Sequence, residues 1–169
     1  RVQLILRVDP KNHQQIDVAR LEREVIQACR SWKDDYASLM VETFGEAQGT
    51  NVLSEFPDAF PAGYRERFAA HSAVVDMQHL LSLSPERKLV MSFYQPLASA
   101  EQQLHCKLYH ADSPLALSDV LPILENLGLR VLGEFPYRLR HQNGREFWIH
   151  DFAFTYAEGL DVDIQELND

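Results

Sequence analysis

The sequence predicts an α+β fold: an antiparallel sheet in the permuted order α-β-β-α-β-β, preceded by a long helix and a run of short helices. Three observations carry this. From Ala73 onward, helical and strand periodicities follow one another in that order. Asn143-Gly144, between two apolar runs, is the strongest hairpin signal in the chain. Pro136 confines the run before that turn to a sheet edge, whereas the run after it, "EFWIHDFAFTY", is apolar on both faces and belongs inside. A βαββαβ unit cut open and rejoined between its ends has this order, with its first and last strands linked by one hairpin. The fold expected is therefore ferredoxin-like.

The elements come in sequence. "RVQLILRV" (1–8) alternates as a strand and ends at Asp9-Pro10. A chain that opens inside a strand is expected to be a piece of a longer protein. Asp17 then caps a helix, with Ile16 and Leu21 as a hydrophobic staple. Positions Val18, Leu21, Val25, Ala28, Trp32, Tyr36, Leu39 and Thr43 or Phe44 form one stripe, and Gly45 stops it. A single helix of about 27 residues, about 40 Å long, is expected. Pro57 and Pro61 break the next stretch into short helices, Pro61 suiting a first helical position. Ser72 caps a helix over 73–83, buried through Val74, Met77, Leu80, Leu81 and Leu83. Strands are expected over 88–96 and 104–110. "LSDVLPILENLGLRV" (117–131) holds a short helix capped by Ser118, with Pro122 in its first turn. Val120, Leu121, Leu124 and Leu127 face inward, and Gly128 is the stop. The domain division expected is 1–10 as a strand closing a preceding module and 11–86 as a helical segment. The α+β core spans 87–160, drawing on the helix at 73–83, and 161–169 is a tail.

The chain has 169 residues with 46% apolar and 24% charged, values of a soluble globular domain. Its 25 acidic and 16 basic residues give a net charge of −9, which argues against a nucleic-acid surface. No run approaches the length of a membrane span. Cys29 and Cys106 form no CxxC pair and read as small core residues in a reducing, cytoplasmic setting.

Groups that could carry chemistry are sparse. The seven glycines form neither a Walker loop nor a GxGxxG, so no nicotinamide site is expected here. His71, His79, His105, His110 and His150 lack metal-ligand spacing and read as structural or solvated, His150 as a core histidine beside Asp151. Arg65 and Arg67 in "YRER" point apart on a helix and read as ion-pair partners. Trp32 and Trp148 read as core anchors. The junction "HADSPLALSD" (110–119) joins a strand to a helix N-terminus. Its Asp112, Ser113, Ser118 and Asp119 are the candidate ligand-binding residues, against ordinary capping by Ser118. No catalytic, cofactor-binding or metal residue is assigned.

Three stretches carry a family resemblance: "FPAGYRERF" (60–68), "LSDVLPILENLGLRVLGEFPY" (117–137) and "WIHDF" (148–152). They resemble the N-terminal regulatory region of the large, bacterial-type NAD-dependent glutamate dehydrogenases. Trp32 in "RSWKDD" and Asp76 in "VVDMQHL" fit the same pattern, and the resemblance covers 16–156. It implies an ACT-like module, the last of several, on a ferredoxin-like sheet. Such modules often bind small amino acids at their interfaces. The catalytic and NAD sites of the family lie in a later part of the parent enzyme, so none is carried over. The chain departs from a simple ACT unit in its permuted order and long helix, and the loop before Ser118 lacks a glycine common in ligand-binding ACT modules.

The leading function expected is a non-catalytic regulatory or oligomerisation domain of an NAD-dependent glutamate dehydrogenase. Its partners would be other domains and subunits of the parent, with a small amino acid as a possible effector and with neither nucleic acid nor membrane. The alternative is a free-standing amino-acid sensor. An independent enzyme on this scaffold needs clustered titratable groups, which the spacing does not show.

Overall fold

A computed structural model describes residues 17, 19–20, 25, 30–96, 103–113, 115–126, 128–155 and 168. The chain divides into two units, Arg1–Ser31 and Trp32–Asp169. In the first unit the Asp17 carboxylate accepts the Arg20 backbone N–H at 3.0 Å, the bond expected of a helix cap. The strand over 1–8, the Ile16–Leu21 staple, Cys29 and the tail at 161–167 lie outside the described residues.

The second unit opens with a helical layer: α1 (Trp32–Phe44), α2 (Glu46–Glu55), α3 (Ala62–Arg67) and α4 (Ala70–Leu81). The expected 27-residue helix is not continuous, because Arg30 and Ser31 are not helical and α1 has only 13 residues. Ser31 with Asp34 three positions on is itself a helix-start pattern, and it interrupts a stripe whose apolar spacing runs straight through. Gly45 does end α1, at φ +82°. The turn folds α2 back onto α1 so closely that a Cβ on Gly49 would lie 2.8 Å from Met40 O and from Val41 Cα. Only glycine permits that approach.

Two helix starts differ from expectation by a few residues. Pro61 is the N-cap of α3, not its first residue. Ser72 lies inside α4, which begins at Ala70 with Ala69 as an N-cap that makes no side-chain bond. Burial explains this: Ala70, Ala73, Val74, Met77 and Leu80 pack into the core, and extending the helix toward Ala70 buries more apolar surface than a serine cap would secure. Leu81, expected inside, is 38% exposed.

The sheet comes next: β1 (Leu89–Tyr94), β2 (Gln103–Ala111), then α5 (Leu117–Asn126), β3 (Arg130–Arg140) and β4 (Glu146–Thr155). Its order is β1-β2-β4-β3, all neighbours antiparallel, as the permuted reading requires. β3 is an edge carrying Pro136 opposite His150, and β4 is interior. The β3–β4 turn uses Gly144 at φ +87°. Its N–H donates to His141 O and the His141 N–H to Arg145 O, each at 2.9 Å. This is a three-residue loop closed by a left-handed glycine.

α5 begins at Leu117, so Ser118 stands within the first turn and Pro122 in the second, one turn later than expected. The bond lost is the one from position 122 to the Ser118 carbonyl. Leu124 is buried, Val120 and Leu121 pack beside it, and Leu127 lies outside the described residues. Gly128 ends the helix at φ +78°.

The core lies on both faces of the sheet. Tyr109 of β2, Phe147 and Ile149 of β4, and Tyr137 and Leu139 of β3 face α1–α4. Cys106 and Leu108 of β2, with Phe152 and Phe154 of β4, pack against α5. Central strands covered on both faces explain why β4 carries apolar residues on both of them.

Gly49→Ala should cost about 1–3 kcal/mol in urea unfolding, because the added methyl meets backbone. Gly63→Ala, in open space on exposed α3, should be neutral or stabilising by about 0.4–1 kcal/mol. Equal effects at the two sites would refute the close α1–α2 approach.

Candidate functional site

The loop singled out by sequence is on the surface. Asp112, at φ +76°, accepts Nε and Nη2 of Arg145 at 2.8 and 3.0 Å, and its own N–H donates to Glu146 O at 2.9 Å. The Arg145 hydrogen bonds hold its carboxyl below the usual carboxylate range. The Ser113 N–H donates to Ala111 O, and Ser118 Oγ donates to Asp119 Oδ1 at 3.3 Å. All four residues are exposed, and they line neither the cavity beside Trp32 nor the one over Lys107.

The concentrated polar chemistry lies between the helices and the sheet. Asp76, 2% exposed on α4, reaches Lys107 of β2, 4% exposed. Lys107 Nζ donates to Asp76 Oδ2 at 2.6 Å, Tyr64 Oη to the same oxygen at 2.5 Å, and Tyr109 Oη to Oδ1 at 2.9 Å. Three donors thus serve one carboxylate, which lets a buried charge persist. The ammonium also sits 3.8 Å from the Phe68 ring centroid and 5.3 Å from that of Tyr94. Burial, then the Asp76 charge, holds the Tyr64 and Tyr109 hydroxyls protonated far above their usual range.

Beside it stands a second buried carboxylate, Asp151 of β4. Its Oδ1 accepts the Tyr94 hydroxyl at 2.8 Å and lies 3.4 Å from His105 Nδ1. Its Oδ2 lies 3.5 Å from Arg67, whose guanidinium stacks 3.6 Å over Phe135 of the edge strand. Arg67 is therefore an ion-pair partner, as expected of "YRER". Cys106 is a buried core thiol pushed up to about 12, first by burial and then by Asp151. Trp32 anchors the helical layer, stacked on Tyr36 at 5.4 Å with its Nε1 donating to Phe68 O at 2.8 Å.

The opposite face of β4 carries a run of flat rings. His110 stacks on His150 at 5.0 Å, and His150 follows Trp148 and precedes Phe152. His150 Nδ1 lies 2.6 Å from Glu134, so this core histidine is partnered across the sheet, on the face away from Asp151. His110 is lowered to about 4 by burial and then by neighbouring His150.

Two cavities accompany these groups. One, of about 120 Å³, lies among Trp32, Tyr36, Phe56 and Phe60, with Lys33, Asp58 and Arg65 among its other lining residues. The other, of about 180 Å³, opens between α4 and the β1–β2 ribbon over Lys107 and Asp76. The sequence reading missed the Asp76–Lys107 pair. The signal was present as an aspartate within the apolar stripe of one helix and a lysine within a strand that alternates apolar residues. What the arrangement can do is hold two layers together, since its hydroxyls and thiol are kept protonated.

Lys107→Met should cost about 3–5 kcal/mol in urea unfolding by stranding the Asp76 charge. Combining it with Asp76→Asn should recover part of that loss; strictly additive effects would refute the coupling. His110 binds its proton more weakly folded than unfolded. Stability should therefore fall as pH drops from about 6.5 toward 4, by about 3 kcal/mol at most, and be flat in that term below. Replacing His110 with Phe should flatten this slope in pH-dependent melting.

Comparison with known proteins places these elements. Residues 88–167 match the model of the glutamate dehydrogenase ACT3 domain, residues 39–83 that of glutamate dehydrogenase helical motif 2, and residues 1–33 that of the ACT2 domain. The chain is 83% identical to an NAD-specific glutamate dehydrogenase of Pseudomonas aeruginosa, over 100% of this chain and 10% of that protein. It is 40% identical to the one of Halomonas elongata, over 99% of the chain and 10% of the relative. With that of Mycobacterium tuberculosis it shares 24% identity, over 80% of the chain and 8% of the relative. It thus spans about a tenth of the length of these relatives. Tyr64 and Asp76 fall in the helical motif, Lys107 and Tyr109 in the ACT3 domain. The chain belongs to the glutamate dehydrogenase family, of which it carries helical motif 2 and the ACT3 domain.

Proposed function

We propose that this chain is a non-catalytic regulatory and assembly module of a cytoplasmic NAD-dependent glutamate dehydrogenase. The parent would oxidise L-glutamate to 2-oxoglutarate and ammonia, with NAD bound elsewhere. The observation that carries the proposal is the buried Asp76–Lys107 pair. It fastens helical motif to ACT3 sheet, so that a displacement of one is delivered to the other as a rigid movement. A buried ion pair with three donors resists sliding, because any shift leaves a charge without its partner.

The surface left over suits contact with other domains or subunits. β3 is a sheet edge on which Leu132 is 54% and Phe135 42% exposed. Pro136 removes one donor from that edge, which limits strand-to-strand pairing there and favours side-chain contact. A second reading, in which the loop of Asp112, Ser113, Ser118 and Asp119 receives a small amino acid, is supported by the exposure of all four residues.

In the full-length enzyme, Leu132→Glu should weaken subunit assembly about tenfold or more, the scale of one lost apolar contact plus a misplaced charge. KM for glutamate and NAD should stay unchanged. Sedimentation over a dilution series, with steady-state kinetics in parallel, reads both; unchanged assembly removes β3 from the proposal. Asp112→Ala tests the second reading. A bound amino acid at ~100 times its Kd adds about 2.7 kcal/mol, and the variant should abolish that rise in melting temperature.

A further inference from the structure

The cleft between α4 and the β1–β2 ribbon is lined by Phe68, His71, Ser72, Val75, Tyr94 and Lys107, with Asp76, Tyr109 and Ser92 also at its wall. Each Asp76 oxygen is already hydrogen-bonded, by Tyr64 and Lys107 on one and Tyr109 on the other. The donors of the cleft are less used. An ammonium has three N–H groups, and Lys107 places one on Asp76; its other neighbours include the rings of Tyr64, Phe68 and Tyr94, and it has no second hydrogen-bond acceptor among the described residues. The Ser72 and Ser92 hydroxyls, both half-buried, have no partner among the described residues either. No side chain caps α4, whose first turn contributes His71 and Ser72 to the wall.

Available donors around a buried cation favour a ligand that presents an anionic acceptor. Lys107 and Asp76 cancel in charge, so a single negative charge suits the cleft better than two, and the chain's net charge of −9 disfavours a polyanion further. The walls beside the cation, Phe68, Val75 and Tyr94, are apolar or aromatic. A volume of about 180 Å³ fits a short side chain, not a nucleotide. We propose that this cleft, at the junction of helical motif and ACT3 domain, binds a small monocarboxylate. Its carboxylate accepts from Lys107 Nζ, Ser72 and Ser92, and its short apolar tail lies against Phe68 and Val75. A free amino acid fits less well, because its ammonium would stand beside the Lys107 cation. The proposal deepens the regulatory reading: an occupant here would strengthen or loosen the tie between the two parts.

The test is direct binding to this chain, monitored by amide chemical shifts during titration with propionate against chloride at equal ionic strength. Saturable shifts confined to α4's first turn and β1 are expected, with propionate binding more tightly than alanine or n-propylamine. Val75→Trp, at a position 47% exposed, fills the cleft from its rim without touching the ion pair and should abolish the shifts. Ser92→Ala should weaken binding about tenfold, the effect of one hydrogen bond to a charged group. Lack of saturation, binding indifferent to Val75→Trp, or alanine binding as tightly as propionate would each overturn the proposal. The dilution experiment on Leu132→Glu is independent of all of these, so failure here leaves the assembly reading standing and the reverse holds too.

Discussion

The Asp76–Lys107 ion pair is the constraint around which the rest of the second unit is arranged. Removing two charges from water costs several kcal/mol each, and their attraction offsets this only where the geometry is close and further partners support both ions. Here Tyr64 and Tyr109 complete the carboxylate, and Phe68 and Tyr94 face the ammonium. Those partners come from α3, the turn after it, β1 and β2, so satisfying one pair settles the placement of four segments. A purely apolar interface of the same area would tolerate α4 at several offsets along the sheet. This one does not.

The consequence is a sheet with two unlike faces. Toward the helices, charged and hydroxyl groups lie within a hydrophobic layer: Asp76, Lys107 and Asp151 with their tyrosines. Toward α5, Cys106, Leu108, Phe152 and Phe154 make an apolar cluster, continued by the stacked rings of His110, His150 and Trp148. Burial and repulsion from His150 both act against the charged form of the His110 imidazole, which stays neutral. The polar face specifies how the helical motif sits, and the apolar face anchors the short α5. The β1 edge is met at Phe93 by Asn168, which accepts from its N–H and donates to its carbonyl, whereas β3 forms the other edge.

Legibility in the sequence tracked the range of the physics involved. The element order from α4 to β4 was readable, because turn chemistry is local. Asn143-Gly144 turns a hairpin, Gly128 ends a helix, and Pro136 cannot sit in a ladder interior, whatever surrounds them. Boundaries were less readable where a local signal competed with burial. Ser72 is a good cap, yet the helix starts before it, since Ala70 packs into the core. The opposite happened at Ser31, where an apolar stripe suggested continuity and the local start signal won.

By itself the sequence determined the strand order, the edge position of β3, the family, and the absence of a phosphate-cradling glycine motif, since each depends on residues close together in the chain. Only the tertiary structure decided which polar residues matter. Asp76 and Lys107 are 31 positions apart, and Asp151 lies 46 positions beyond His105. Neither residue of such a pair signals its partner locally, because a carboxylate on a helix and an ammonium on a strand read as surface charges until the fold removes them from water together. The exposed loop at Asp112 had the better local signature. Pairing across the fold, which no local signature encodes, put the chemistry elsewhere.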